Sequence, residues 1–417
     1  MPSSPAGSPT HKPRLRSALV QALEAMAGMH AWVFFSLRQE VRQGYPDFTA
    51  FYAAGKCVRR GLGSQLYSVE TQARIQREFA SGVKIRNGPL PFTHPPFEAP
   101  LFTPFASLSY SAAYWVWNGV SLLALVAFLL LMRPHIPNLR GWSEALPFLC
   151  GLAFFPVFVC LLQGQDSLLL LLLFGLGFVA MKGGRGFVAG ICLGLALFRF
   201  QLVLPVMAVV LLRRGWKTVA GFAVTALALV GVSAAVVGWG ALMNYPRQLL
   251  QFSHVQAGGA MNPRVMPNLR GVVAGLAGDS NSAHVLIAMV SLALVAWAAW
   301  KWKACGPEFD LAFGLTLVVA VIVSYHLMAH DLSVLLLPLL LAAEWLLRER
   351  PLGMARWLAV AGIGILFFSP IYFLLWFRYQ RFSAMFWAVA LLGAGLSLAL
   401  GLKNRAQLAH AARNSGA

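Results

Sequence analysis

Residues 186–212 read Gly-Phe-Val-Ala-Gly-Ile-Cys-Leu-Gly-Leu-Ala-Leu-Phe-Arg-Phe-Gln-Leu-Val-Leu-Pro-Val-Met-Ala-Val-Val-Leu-Leu. The run is apolar and long enough to cross a bilayer, yet Arg199 and Gln201 stand in its middle. A charge at that depth is costly and marks function by default. Basic clusters decide how the run is read. They fall at 133–140, 182–185, 213–217, 301–303 and 348–356, and short basic loops stay on the cytosolic side. If 186–212 crossed once, the loop at 213–217 and every later basic loop would lie outside. If two half-length helices turn back at Arg199, all of these loops lie inside. The second reading is adopted.

The surrounding chain fits this frame. Of 417 residues, 59% are hydrophobic and 11% charged, which excludes a soluble protein. Further apolar segments read at about 17–37, 110–132, 144–162, 167–182, 217–239, 284–302, 309–325, 331–347, 355–376 and 383–402, near the roughly 20 residues a helix needs to span a bilayer. They are too long for barrel strands, and open sheet edges cannot face lipid. The fold class is therefore all-α, a polytopic transmembrane bundle of about 11–12 membrane segments including the half-helix hairpin. One membrane domain covers 17–402, with outer loops at 38–109 and 240–283. The tails, 1–16 and 403–417, are expected to be cytosolic, the first disordered and basic. No small-residue cleavage site follows the basic N-terminus, so the first span is expected to be uncleaved. The net charge of +19 sits mostly in loops and tails, which suits orientation and anionic lipid headgroups and not nucleic acid. The five cysteines have no metal-type spacing.

Within the first outer loop, Gly44-Tyr-Pro-Asp-Phe-Thr-Ala-Phe-Tyr-Ala-Ala-Gly55 holds one of few carboxylates. Asp47 stands at an N-cap position before apolar residues at helical spacing, Phe48, Phe51, Tyr52 and Gly55. A short helix lying on the membrane surface is predicted, with Asp47 capped by its backbone N–H groups. Ser68 caps a second helix, about 69–80, with Glu70 in its first turn. The stretch from Phe92 to Phe97 is a proline-stiffened turn back to the membrane.

With the hairpin in place, Asp47, His94, Gln165, Asp166, Arg199, Gln201, Asn262, Arg264, Asn268, Arg270, His326, His330 and Asp331 all fall on the extracytoplasmic side. That set suits a substrate with a phosphate head and a lipid tail. Arg199 would hold the phosphate by charge-assisted hydrogen bonds, and Gln201 would add a donor. A carboxylate would take the proton from an attacking hydroxyl. One acid suffices when the leaving group is a lipid phosphate, whereas glycoside hydrolysis generally needs two carboxyls.

The motifs resemble glycosyltransferase family 87 of the GT-C superfamily, which includes polyprenol-phosphate-mannose-dependent α-mannosyltransferases. The resemblance covers most of 38–347. It rests on Asp47-Phe48 with Phe51-Tyr52, Leu66-Tyr67, Thr93-His94-Pro95-Pro96-Phe97, Gly164-Gln165-Asp166-Ser167, Gly190 with Gly194-Leu195-Ala196, Pro267-Asn268-Leu269-Arg270-Gly271, and Ser324-Tyr325-His326 through Asp331. It implies a GT-C fold and Asp47 as the general base. Arg199 stands where a lysine is frequent, and His94 where a tyrosine is common.

Simpler readings stand beside these. Asp166 also fits as a cap for the helix starting at Ser167, and Asn268 and Arg270 as ordinary loop residues. His326 and His330 share a helical face with Asp331 next to them, but a zinc site needs a further well-placed ligand, so no metal is expected. The expected function is transfer of a hexose, such as mannose, from a polyprenyl-phosphate donor to an extracytoplasmic glycan or glycolipid acceptor. No cofactor is expected besides that lipid-linked donor, and membrane lipid is the expected surrounding. The expected location is the inner (plasma) membrane, multi-pass, with both termini cytoplasmic. The alternative is a transporter or flippase of a lipid-linked sugar, which would show paired breaks in corresponding halves.

Overall fold

A computed structural model describes residues 11–83, 88–254, 262–278, 280–302, 306 and 308–414. Among these residues the regular elements are helical throughout. Helix α1 (His11–Ser36) leads into the first loop, where α2 (Phe48–Arg59) and α3 (Val69–Arg77) pack together. Next come α4 (Tyr110–Met132), α5 (Leu146–Ala153), α6 (Phe155–Gln163) and α7 (Ser167–Lys182). The apolar run 186–212 forms α8 (Gly186–Leu195) and α9 (Phe200–Leu212), joined by a tighter turn over Ala196–Arg199. Helices α10 (Trp216–Val237), α11 (Trp239–His254), α12 (Leu269–Ala277), α13 (Asn281–Lys301) and α14 (Phe309–Val323) follow. The chain closes with α15 (Leu336–Glu349), α16 (Met354–Phe367), α17 (Ser369–Phe373) and α18 (Phe386–Asn414).

Among the described residues, seven helices are long and apolar enough to span a membrane, or nine if two bent pairs count as spans. The shorter apolar helices α7 and α14 complete the set, which matches the predicted segments in order. By length and composition alone, 186–212 passes as one span. Its neighbours show that it turns back. A Cβ added at Gly186 would meet Lys217 Cβ at 3.2 Å, and one at Gly194 would meet Thr225 Cβ at 2.5 Å. Between them, Gly190 lies against the backbone of Thr218 and Phe222. Helices α8 and α10 therefore run parallel from the same end of the bundle. Since α9 ends at Leu212, just before α10 begins, the chain must have returned to that end after Arg199. The small residues at 186, 190 and 194 allow the close backbone approach that helix pairs in lipid use. Cysteines placed singly at Gly184 and Gly215, in a background cleared of native cysteine, are expected to react alike with an impermeant thiol reagent. Opposite behaviour of the two positions would mean a single crossing.

The two sharp bends have a common cause. Pro156 lacks the N–H that would bond Leu152 O, and Pro370 likewise frees Leu366 O. The pairs α5–α6 and α16–α17 bend by 60° and 62° there. Both carbonyls find partners: His30 Nδ1 lies 3.1 Å from Leu152 O, and the Tyr372 hydroxyl donates to Leu366 O at 2.9 Å. His30 Nε2 also meets Ser369 Oγ at 3.0 Å, so α1 ties the two bends together. His30, a polar residue within the first apolar segment, is thus satisfied inside the bundle.

Two expectations are corrected. Residues 11–16 are helical and not a disordered tail, while residues 1–10 lie outside the described residues. Helix α2 does not lie on a surface, because nine of its twelve residues are buried. A surface helix would leave one face exposed, but here Gly55 packs on the Phe102 backbone while Phe48, Phe51 and Tyr52 fill an aromatic cluster. The second helix follows the prediction, with Ser68 Oγ accepting from Thr71 N at 3.2 Å.

Candidate functional site

The site is built where α6 gives way to α7. Gly164 sits in the left-handed region at φ +62°, and a Cβ there would come 2.7 Å from Phe48 Cβ. Glycine alone ends α6 this tightly against α2. Trp117 Nε1 donates to Gly164 O at 3.0 Å and fixes the turn. Gln165 and Asp166 are thereby held beside the first residue of α2.

Asp47 occupies the N-cap position but does not cap. Its backbone is already helical at φ −60°, ψ −22°, so the carboxylate does not accept from its own helix. It accepts instead from Gln165 Nε2 at 2.8 Å, while Asp47 N donates to Gln163 Oε1 at 3.1 Å. Gln165 has no freedom to flip. Its Oε1 accepts from Arg199 Nη2 at 2.5 Å, so its NH₂ must face Asp47. The half-buried Asp47 is left with Oδ1 making no hydrogen bond among the described residues.

Arg199 is 4% exposed and lies at the turn of the hairpin. Its Nε and Nη2 reach Asp166 Oδ1 at 3.0 and 2.6 Å, and Nε lies 3.6 Å from Asp331 Oδ1. Asp331 also accepts from Ser167 Oγ at 3.1 Å and from Met328 N at 3.0 Å, with His330 Nε2 at 3.6 Å. Arg199 therefore meets its first partners inside the protein, which the phosphate reading alone did not foresee.

His94 Nδ1 lies 2.8 Å from Glu98 Oε2 and 3.8 Å from Asp166 Oδ2. Its ring is edge-on to Phe51, with centroids 4.8 Å apart, and stacks on Phe92 at 5.5 Å. Burial pushes the Glu98 carboxyl up to about 7. Burial, reinforced by Arg199, brings the His94 imidazole down to about 4. Glu98 escaped the sequence reading. Its spacing of four from His94 was the available signal, masked by the two prolines between them.

A cavity of about 200 Å³ opens beside this network. His94, Arg199, Gln201, Arg270 and His326 line it, together with Thr93, Phe198 and Tyr325. The Arg270 guanidinium stacks 4.1 Å over the Tyr325 ring. Asn268 does not line the cavity. Its Oδ1 caps α12 by accepting from Gly271 N at 2.8 Å, and its Nδ2 donates to Ser324 O at 2.7 Å. It joins α12 to the segment that carries Tyr325 and His326. The predicted residues thus divide into a polar network (Asp47, Gln165, Asp166, Arg199, His330, Asp331), a cavity lining (His94, Arg199, Gln201, Arg270, His326) and a brace, Asn268. No expected site residue lies at the other end of the bundle, where Lys182 pairs with Asp310 at 2.6 Å.

The family model described as Glycosyltransferase family 87 matches residues 92–329, taking in His94, Gln165, Asp166, Arg199, Arg270 and His326 and leaving Asp47 outside. No curated protein and no solved structure matches.

Proposed function

The chain belongs to glycosyltransferase family 87 and is a membrane glycosyltransferase; from that premise we propose that it moves a hexose, such as mannose, from a polyprenyl-phosphate carrier to a glycan or glycolipid acceptor, with Asp47 as the base. The observation that carries this reading is the chain Arg199–Gln165–Asp47. The arginine sets the amide, and the amide holds one oxygen of the carboxylate. The other oxygen remains to take the acceptor's proton. As the hydroxyl oxygen attacks the anomeric carbon, the bond to the phosphate oxygen breaks, and its electron pair leaves on the lipid phosphate. A phosphate is a good leaving group without protonation, so one carboxylate is enough.

The cavity suits the donor's head. Arg199 and Arg270 supply positive charge, and Gln201 and His326 supply polar contacts. Exposed apolar side chains such as Leu227, Leu276 and Leu292 fit a protein surrounded by lipid. We place the site on the extracytoplasmic side of the inner membrane and both termini in the cytoplasm, following the basic loops. Arg270→Ala is expected to raise the KM for donor on the order of 10-fold or more, the loss of a charge-assisted contact. An unchanged KM would leave the phosphate to Arg199 alone. The donor class is tested by offering purified protein radiolabelled polyprenyl-phosphate hexose or nucleotide hexose, with envelope lipid as acceptor. Transfer from the lipid-linked sugar alone is expected; transfer from the nucleotide sugar alone would overturn the donor assignment.

A further inference from the structure

We propose that His94, Glu98 and Asp166 bind a divalent cation. Each offers a ligand atom, and these atoms lie within 4.8 Å of one another. Metal bonds of about 2.0–2.2 Å put ligands of one ion roughly 3–4 Å apart, so only small shifts are needed. The 2.8 Å contact between His94 Nδ1 and Glu98 Oε2 suits two atoms on the same ion as well as it suits a hydrogen bond. The sequence reading, drawn to His326 and His330, expected no metal.

A further observation points to a ligand. Glu98 Oε1 and Asp166 Oδ2 are both buried, and among the described residues no donor serves either, so they need an ion or a proton shared between them. Their residues are 3% and 1% exposed, so water does not serve them as it would at a surface. Native proteins rarely leave such oxygens unserved without an ion or another unseen partner. Arg199 is engaged with Oδ1 of Asp166 and lies 3.6 Å from Oδ1 of Asp331, while Asp166 Oδ2 lies 3.8 Å from His94 Nδ1.

The donor set decides the kind of ion. One imidazole and two carboxylates, without a thiolate, suit Mn²⁺ or Zn²⁺. The ring of His94 is held by Phe51 and Phe92, and Asp166 by Arg199, so the ligands are oriented before any ion arrives. Three protein ligands leave coordination positions open. His94 lines the cavity, so these positions would meet a phosphate oxygen of the donor. That last step rests on the transfer reading; the metal site itself does not.

The test reads binding and not turnover. Full-length protein purified in detergent, stripped with a chelator, is titrated with MnCl₂ and followed by electron paramagnetic resonance and by thermal unfolding. The wild type is expected to take up one Mn²⁺ per chain, with a raised Tm and a nitrogen coupling from the imidazole. Glu98→Gln, an isosteric change, is expected to weaken Mn²⁺ by on the order of 10-fold or more, and His94→Gln to remove the nitrogen coupling. Wild type that binds neither Mn²⁺ nor Zn²⁺ and shows no Tm shift would overturn the proposal, leaving Glu98 and Asp166 to share a proton. Binding of equal strength in wild type and Glu98→Gln would overturn it too, since the ion would lie elsewhere. The wild-type measurement decides the matter even if a variant fails to fold.

Discussion

Asp47→Asn is expected to lower turnover by about 10²–10⁴-fold, the usual loss when a general base is removed. Stability should hardly change. The carboxylate caps no backbone N–H of α2, and an asparagine oxygen can still accept from Gln165 Nε2. The loss should therefore fall on kcat, with Tm and donor binding near those of the wild type. Steady-state kinetics and thermal unfolding on the same preparation separate the two. Near-normal turnover by folded Asp47→Asn would place the base elsewhere. The other carboxylates of the network are poor substitutes, because Asp166 and Asp331 are both buried and tied to Arg199.

Arg199→Ala is expected to act first on folding. Removing one partner of a buried ion pair leaves the other charge uncompensated, at about 3–5 kcal/mol. Asp166 would lose its bonds at 2.6 and 3.0 Å, and Gln165 the contact that orients its amide. The Arg199→Ala, Asp166→Asn double variant should recover much of that stability, because the stranded charge is gone. It should not recover activity, since Gln165 is then free to flip away from Asp47. Arg199→Lys keeps the charge but not the fork, so it should fold better than Arg199→Ala and still transfer poorly. Chemical or thermal unfolding of the three variants checks this. An Arg199→Ala protein as stable as the wild type would show that the arginine does not balance the buried carboxylates.

Much of this architecture could be read from residue order because lipid imposes few solutions. Apolar length located the segments, and the basic clusters around 182–185 and 213–217 required the hairpin that Gly186 and Lys217 show by contact. Arg199, Gln165 and Asp166 stood out because polar residues at such places are rare. What escaped depended on contacts between distant parts of the chain. The gathering of His94 and Glu98 with Asp166 joins residues far apart in sequence, and no periodicity announces it. The burial of α2 was missed because its apolar stripe fits a membrane surface as well as a protein interior; the partner that decides, the backbone at Phe102, lies in a turn. The capping expectation for Asp47 failed for a local reason. Asp47 already lies on the helical path, with Thr49 N bonded to Pro46 O, and its side chain makes no bond to its own helix.

The central claim is a single displacement at the anomeric carbon assisted by one carboxylate. It is tested most directly by the configuration of the product. A polyprenyl-phosphate hexose of known anomeric configuration is converted by the purified enzyme, and the new linkage is assigned by the one-bond coupling between the anomeric carbon and its proton in NMR. The account predicts inversion, because the acceptor oxygen enters opposite the departing phosphate. Retention would contradict it, since two successive displacements would require a nucleophile that bonds to the sugar, a role Asp47 as base does not fill.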